Sequence, residues 1–139
     1  MIILDTDVLS ELIKNEPERR VQGWVSARPA ALLFTTAISQ AEVLYGVALL
    51  PDGRRREALA IAVDAMFEED FRGRILAFDT PAARAFAEIA VSRRRADRPI
   101  AQFDAQIAAI ARATGATLAT HNVADFVDCG IAIVDPWRD

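Results

Sequence analysis

The chain alternates short apolar runs with longer segments in which apolar residues recur at every third or fourth position. The short runs carry no charged residue, which is typical of strands that are buried on both faces of a parallel sheet. They lie at residues 2–4, 32–36, 75–78, 117–120 and 131–134. Because segments with helical periodicity separate most of these runs, the pattern predicts an α/β fold with a mostly parallel sheet and right-handed crossovers.

Three of the predicted helices have a recognisable start. Thr6 or Asp7 is the expected N-cap of the first helix, because apolar residues at helical spacing follow directly. Ser39 and Glu42 have the spacing of a capping box, which starts another helix at Ser39 and explains Glu42 structurally. Thr80 precedes a proline and is the expected N-cap of a third helix, which ends before residue 99. Further helices are predicted near residues 21–28, 54–71 and 100–115.

Length and composition indicate one globular domain. With 139 residues, 53% of them hydrophobic, the chain is long enough for a single sizeable core and too apolar for disorder. No apolar run approaches the ~20 residues of a membrane span, and the start of the chain lacks the features of a signal peptide. The single cysteine, Cys129, is compatible with a reducing cytoplasm, where we expect the protein to act without a membrane. With only one histidine, His121, a zinc site built from several Cys and His ligands is excluded.

The net charge of −4 does not by itself indicate nucleic-acid binding, but the basic residues are unevenly distributed. Arginine outnumbers lysine fifteen to one, and two arginine clusters stand out. The cluster at residues 54–56 lies beside a predicted turn, and we interpret it as a solvated surface. The second cluster is either a solvated helix face or a rim that contacts nucleic-acid phosphates beside an acidic pocket. It consists of Arg93, Arg94, Arg95 and Arg98.

Polar residues follow predicted strands or open predicted helices at four places. Asp5 ends the first strand, Glu42 lies just past the second, Asp104 opens a late helix, and Asn122 and Asp125 follow the fourth strand. Each acid has a local explanation, either as a helix cap or as a favourable charge at a helix N-terminus. Together, at the carboxyl ends of parallel strands, they predict a crevice in which a divalent cation relieves the repulsion. Oxygen ligands favour Mg²⁺ or Mn²⁺ over zinc.

Four segments taken together resemble the PIN-domain ribonucleases, especially the VapC/FitB-like toxins of bacterial toxin–antitoxin pairs. These segments are ILDTDVLSEL at 3–12, AISQAEVLYG at 37–46, FDAQIAA at 103–109 and LATHNVADF at 118–126, and the chain closes on Asp135-Pro136-Trp137. The resemblance covers nearly the whole chain. It implies a single PIN domain over residues 1–139 with a three-layer α/β/α fold and a mostly parallel central sheet.

By this resemblance, Asp5 and Asp104 are the principal Mg²⁺ ligands, and Mn²⁺ is accepted as well. Glu42 is the third acid, which contacts the ion or activates water. The implied function is that of an Mg²⁺-dependent endoribonuclease that acts as the toxin of a toxin–antitoxin pair. The second arginine cluster is the candidate RNA-binding surface. The alternative is a catalytically weak PIN-like module that binds RNA or a protein partner.

The resemblance also implies partners. A small cognate antitoxin is expected to cover the site and an apolar surface between the N-terminal helices, and a homodimer is expected in addition. Such inhibitors commonly present an amphipathic helix to a groove. An arginine of the partner would suit the acidic site, because its guanidinium pairs with carboxylates through two hydrogen bonds.

One position departs from the family pattern. The family's fourth acid often stands in a Thr-x-Asp sequence after the last-but-one strand, where this chain has Thr120-His121-Asn122. Either Asp125 takes over the carboxylate role, or Asn122 contributes a carbonyl oxygen and the site carries one negative charge less. The sequence leaves both possibilities open.

Two other families open in a similar way, with an apolar strand followed by an Asp-x-Asp segment. They are the haloacid-dehalogenase-type phosphatases and, more loosely, the response-regulator receivers. Both need a lysine late in the chain to meet a phosphoryl group. The only lysine here is Lys14, in the first predicted helix, so composition excludes both.

Overall fold

A computed structural model describes all 139 residues and shows one five-stranded sheet. The strands lie in the order β3-β2-β1-β4-β5, and every neighbouring pair is parallel. Their bounds are β1 (Ile2–Leu4), β2 (Leu33–Thr36), β3 (Ile75–Leu76), β4 (Thr117–Ala119) and β5 (Ala132–Val134). All five predicted strands are therefore confirmed, and the sheet is wholly rather than mostly parallel.

Six α-helices connect the strands. They are α1 (Thr6–Leu12), α2 (Arg19–Ser26), α3 (Ala37–Ala48), α4 (Arg54–Ala65), α5 (Thr80–Arg95) and α6 (Gln102–Thr114). A π-helical turn, Met66–Asp70, follows α4, so the helix predicted over 54–71 changes its hydrogen-bonding pattern near its end. Two short 3₁₀ turns lie at Ala30–Leu32 and Val123–Phe126. None of the helices has the length and apolar character needed to cross a membrane.

The sheet separates two hydrophobic cores, and the first strand contributes to both. Ile3 packs on one face with Ile89 of α5 and Ile107 of α6. Leu4, the next residue, packs on the other face with apolar side chains from α1–α4, such as Val43. Because successive strand residues point to opposite faces, an uninterrupted apolar run needs a helical layer on each side. The three-layer α/β/α prediction is confirmed.

Two helices begin at an aspartate that directly follows a strand or an extended segment. The N-cap of α1 is Asp5, whose Oδ1 accepts a hydrogen bond from the N–H of Thr6 at 2.8 Å. The N-cap of α5 is Asp79, whose Oδ1 accepts from the N–H of Ala82 at 3.1 Å. The predicted caps, Thr6 or Asp7 and Thr80, were therefore wrong by one or two positions, because the aspartate in front already satisfies a free amide.

The third helix begins earlier than the capping-box prediction placed it. It starts at Ala37, and its N-cap is Thr36, whose hydroxyl accepts a hydrogen bond from the N–H of Ser39 at 3.0 Å. Ser39 is therefore inside the helix, and the predicted capping box of Ser39 with Glu42 was wrong. The local structural explanation for Glu42 is thereby removed.

The strand order places the end of β1 at a topological switch point. From β1 the chain first adds β2 and β3 on one side and later adds β4 and β5 on the other. In open parallel sheets, the crevice at such a point is where ligands bind. The N–H of Asp5 donates to the carbonyl of Ala119 at 3.0 Å, so Asp5 and the residues that follow β4 meet at this crevice.

Candidate active site

The carboxylate of Asp5 lies at the centre of the crevice and is only 4% exposed. Its Oδ1 caps α1, and its Oδ2 accepts a hydrogen bond from the hydroxyl of Thr120 at 2.8 Å. Burial raises the pKa of Asp5 to about 7, and the charges of Asp7 and Asp104 act in the same direction against the two hydrogen bonds. Asp5 is therefore a buried acid that a positive charge would stabilise in its ionised form.

Glu42 reaches the same crevice from α3, and Thr6 holds it there. The hydroxyl of Thr6 lies 2.8 Å from Oε1 of Glu42 and 2.9 Å from the hydroxyl oxygen of Ser39. A hydroxyl has one proton to donate, and a carboxylate is the stronger acceptor, so Thr6 donates to Glu42 and can accept from Ser39. Because Thr6 is the residue after Asp5, this hydrogen bond ties the third acid to the first.

Asp104 lies half-buried in the first turn of α6. Burial, together with the charges of Asp125, Glu42 and Asp7, raises its pKa to about 6, and Arg93 opposes them. These interactions connect the carboxylates of four different segments of the chain. The structure therefore brings the predicted acids Asp5, Glu42 and Asp125 within electrostatic reach of Asp104.

Asp7 is a fifth carboxylate of the crevice that we did not include among the predicted site residues. Its Oδ2 accepts a hydrogen bond from the N–H of His121 at 2.9 Å and lies 3.3 Å from the hydroxyl of Thr120. Burial raises the pKa of Asp7. The sequence contained a signal, namely two aspartates on either side of Thr6 after a buried strand, which capping of one helix explains less well than a single aspartate, but only Asp5 was included among the predicted site residues.

Asn122 and Asp125 lie on the exposed 3₁₀ turn after β4. The N–H of Asn122 donates to the hydroxyl of Thr120 at 3.1 Å, and the N–H of Asp125 donates to the carbonyl of Asn122 at 3.0 Å. The charge of Asp125 acts on Asp104. Both residues line one cavity of about 670 Å³, together with His121 and Asp135.

His121 shares this cavity and is held by a buried partner that the sequence did not indicate. Its Nδ1 lies 3.2 Å from both carboxylate oxygens of Asp135, whose side chain is 7% exposed. The ring of Trp137 packs against the imidazole with a centroid separation of 4.6 Å. Fourteen residues separate His121 from Asp135, so only the fold brings them together.

The second arginine cluster divides into one buried and three exposed residues. Arg93 is 6% exposed, and its guanidinium donates to main-chain carbonyls, so its predicted contact with RNA was wrong. Arg94 and Arg95 are exposed, and Arg98 pairs with Asp128 at 3.0 Å. The buried residues of α5 recur at helical spacing, and Arg93, four positions after the buried Ile89, lies on the same face.

The donor set of the crevice suits a hard divalent cation, since all candidate ligands are oxygens. One of them, Oδ1 of Asp7, is buried without a hydrogen-bond partner. No three acidic, imidazole or thiol groups converge tightly enough to enclose an ion in this conformation. The carboxylates repel one another, and hydroxyl groups hold two of them, Asp5 through Thr120 and Glu42 through Thr6.

Comparisons with known proteins match nearly the whole chain, and they indicate the same family. Residues 2–128 match the family model described as PIN domain. The chain is 36% identical to "VapC ribonuclease Y4jK" of Sinorhizobium fredii over 99% of both chains, and 35% identical to "Toxin FitB" of Neisseria gonorrhoeae over the full length of both. A solved structure of FitAB bound to a DNA fragment is similar with a TM-score of 0.93 and 34% identity, covering 100% of this chain and 97% of that chain.

Proposed function

This chain belongs to the PIN domain family, and on that basis we propose that it is an Mg²⁺-dependent endoribonuclease and the toxin of a toxin–antitoxin pair. The observation that carries the proposal is that the buried Asp5 and the half-buried Glu42 and Asp104 act on one another in the crevice at the sheet's switch point. The names of the relatives, a ribonuclease and a toxin, support RNA as the substrate class.

Asp5 and Asp104 would hold the divalent cation, which would stabilise their ionised forms, because burial and neighbouring negative charge raise their pKa to about 7 and about 6. Such an ion supplies positive charge that neutralises the carboxylates and stabilises charge developing on a phosphate during hydrolysis. Mn²⁺ fits the same oxygen ligands.

The residues around the two acids keep the site in a fixed geometry. Thr120 holds Asp5, and Thr6 holds Oε1 of Glu42, which leaves Oε2 of Glu42 to accept a proton from the attacking water. A general base must lie within hydrogen-bond reach of the proton it takes. The exposed Arg94 and Arg95 remain the candidates for contact with the RNA backbone.

The decisive experiment compares RNA cleavage by the wild type with that by Asp5→Asn and Asp104→Asn in Mg²⁺. Each variant loses a ligand and relieves repulsion, so it should lose activity and, in metal-free buffer, melt no lower than the wild type. Asp64→Asn, a change at an exposed position of α4, is the matched control and should keep full activity. Equal cleavage by the wild type and Asp5→Asn would leave the non-catalytic RNA- or protein-binding module as the better description.

We further propose that a small antitoxin binds an apolar groove between the N-terminal helices. A cavity of about 590 Å³ lies among α1, α2 and α4. Its apolar lining consists of Leu12, Ile13, Val25, Ala30, Leu33, Ala62, Met66 and Phe71. An apolar groove of this kind fits the apolar face of an amphipathic helix. The solved FitAB structure supports a partner of this type.

One negative charge introduced into the groove tests whether the antitoxin binds there, and it does not disturb the core. Ala62 is exposed and lines the cavity, so Ala62→Glu should change the stability of the free protein by no more than about 0.5 kcal/mol. The same change should abolish binding of the small protein encoded beside this one, as measured by calorimetry. Ala83→Glu, at an exposed position of α5, is the control and should bind normally. Equal binding by both variants would place the partner elsewhere.

We propose a homodimer as well, because large apolar side chains are exposed outside the groove. Tyr45 is 67% exposed, Leu49 is 65% exposed and Ile61 is 71% exposed. They lie at the end of α3 and on α4, two helices that pack on each other, and exposed apolar patches typically mark protein contacts. Light scattering should give twice the mass of the chain, and Leu49→Glu should reduce it to the monomer. A wild-type monomer at all concentrations would contradict the proposal.

A further inference from the structure

We propose that Asp7 is the fourth carboxylate that acts on the divalent cation of this site, in the role that the sequence pattern left open between Asn122 and Asp125. This inference rests on the proposed function, because the cation is the one that the proposed nuclease binds. The inference concerns only the side chain of Asp7, however, so the nuclease proposal can stand if Asp7 does not act on the cation.

The first observation is an acceptor without a donor. Oδ1 of Asp7 is buried and has no hydrogen-bond partner. Buried carboxylate oxygens are almost always hydrogen-bonded or bound to a cation, because leaving one unsatisfied is costly. The N–H of Val8 lowers the pKa of this carboxyl, but Oδ1 itself has no hydrogen-bond partner, and a positively charged ligand would satisfy it.

The second observation is that the other oxygen fixes Asp7 next to Asp5. Oδ2 of Asp7 accepts from the N–H of His121 at 2.9 Å and lies 3.3 Å from the hydroxyl of Thr120. The same hydroxyl donates to Oδ2 of Asp5 at 2.8 Å. Two carboxylates that share one hydroxyl must be close together, and Thr120 has only one proton to donate to them.

Helix capping does not explain Asp7. The N-cap of α1 is Asp5, which accepts from the N–H of Thr6. The N–H of Val8, which lies next to Asp7, donates to the carbonyl of Asp5 at 3.1 Å. The N–H groups of Thr6, Val8 and Leu9 therefore donate to Asp5, and Asp7 is not the N-cap of α1.

Asp7 also fits the role better than the two residues after β4. Asn122 and Asp125 are exposed, and Asn122 carries no charge. Asp7 is more buried, and its negative charge acts on both Asp5 and Asp104, the two proposed ligands. A carboxylate at position 7 thus supplies at the centre of the crevice the charge that Asn122 does not carry.

The test is Mn²⁺ binding by the full-length Asp7→Asn variant, in the absence of RNA. Asparagine keeps the shape of the side chain and a carbonyl oxygen that can accept from His121, while it removes the charge and replaces the other oxygen with an NH₂ group that cannot bind a cation. Free Mn²⁺ is counted by electron paramagnetic resonance, and melting is followed with and without the metal. We expect the Kd for Mn²⁺ to rise about tenfold or more. The metal-free melting temperature should not fall. Asp64→Asn is the control and should bind Mn²⁺ like the wild type.

The other outcomes overturn the inference in distinguishable ways. If Asp5→Asn loses Mn²⁺ binding while Asp7→Asn keeps the wild-type Kd, Asp7 is not a cation-binding carboxylate, and the nuclease proposal stands. A lower metal-free melting temperature with an unchanged Kd would show that Asp7 only supports the fold. If Asp125→Asn weakens binding and Asp7→Asn does not, the fourth carboxylate is Asp125. If the wild type binds no Mn²⁺, the inference and the metal dependence of the proposed function fail together.

Discussion

The guanidinium of Arg93 donates to the main-chain carbonyl of Asp125 at 3.0 Å, although the two residues are 32 positions apart. The same nitrogen donates to the carbonyl of Val127 at 2.9 Å, and Nε donates to the carbonyl of Arg98 at 2.7 Å. Arg93 therefore joins the end of α5 to the turn that carries Asp125, whose charge acts on Asp104. A buried arginine thus sets the position of one wall of the site.

Replacing Arg93 with methionine should destabilise the protein by about 3 kcal/mol, because three carbonyls lose their donor while the aliphatic packing is kept. Urea denaturation measures this loss. Arg94→Met, at an exposed position of the same helix, is the control and should cost no more than about 0.5 kcal/mol. Equal losses in the two variants would show that the hydrogen bonds of Arg93 contribute little.

The stability of the metal-free protein should fall as pH rises from about 4 to about 7. The pKa of Asp5 is raised to about 7 and that of Asp104 to about 6 in the folded state, both above the ordinary value of 3.8. In this window the folded state binds more protons than the unfolded state, so the free energy of unfolding decreases with pH. A tenfold change in proton affinity corresponds to about 1.4 kcal/mol, so Asp5 alone contributes a few kcal/mol to this loss.

The measurement is urea denaturation in a chelator at about pH 5 and about pH 8, for the wild type and for Asp5→Asn. The loss between the two pH values should be smaller in the variant. Subtraction cancels the contribution of other groups, including Glu11, whose pKa is lowered by its hydrogen bonds with Lys14 and with the N–H of Glu18. An identical pH dependence in both proteins would contradict the raised pKa of Asp5.

Thr6 should matter for activity more than for stability. In Thr6→Val the side chain keeps its shape, but Glu42 loses the hydroxyl that holds its Oε1. We expect RNA cleavage to fall about tenfold or more and stability to fall by about 1 kcal/mol. Thr114→Val, which removes a hydroxyl bonded to the carbonyl of Ile110 on α6, is the control and should keep full activity. Full activity in Thr6→Val would mean that Glu42 needs no such support.

The turn after β4 allows a direct test of the two possibilities that the sequence left open. If Asp125 contributes to the metal site, Asp125→Asn should reduce the Mg²⁺-induced rise in melting temperature and reduce cleavage, because ligand binding stabilises the folded state in proportion to its affinity. Asn122→Asp adds an acid and should increase the Mg²⁺-induced rise while slightly destabilising the metal-free protein. Unchanged Mg²⁺ responses in both variants would identify this turn as structural.

The alternation of apolar runs and helical periods was sufficient to predict the five strands, the six helices and the parallel sheet. The reason is local. A strand buried on both faces must be apolar throughout, as Ile2–Leu4 is, and the residues after it must satisfy the amides of the next helix. Asp5 and Glu42 follow their strands along the chain, and the carboxyl ends of parallel strands lie at one edge of the sheet. Their positions in the sequence therefore already indicated that both acids lie at that edge.

Only the tertiary structure decided which side chains meet at that edge. The helix caps differ by one to three residues from the predicted ones, because Asp5, Thr36 and Asp79 compete with their neighbours for the same free amides. Arg93 was grouped with exposed arginines, since a run of like charges does not show which member faces the core.

The sequence by itself determined the fold class and the strand-end positions of the acids, because both follow from the order of apolar and polar residues along the chain. The tertiary structure decided that Thr6 holds Glu42, that Asp135 holds His121, and that Oδ1 of Asp7 is buried without a partner. These relationships join residues from separate segments or depend on the geometry of single atoms. They are set by packing, which the local pattern does not specify.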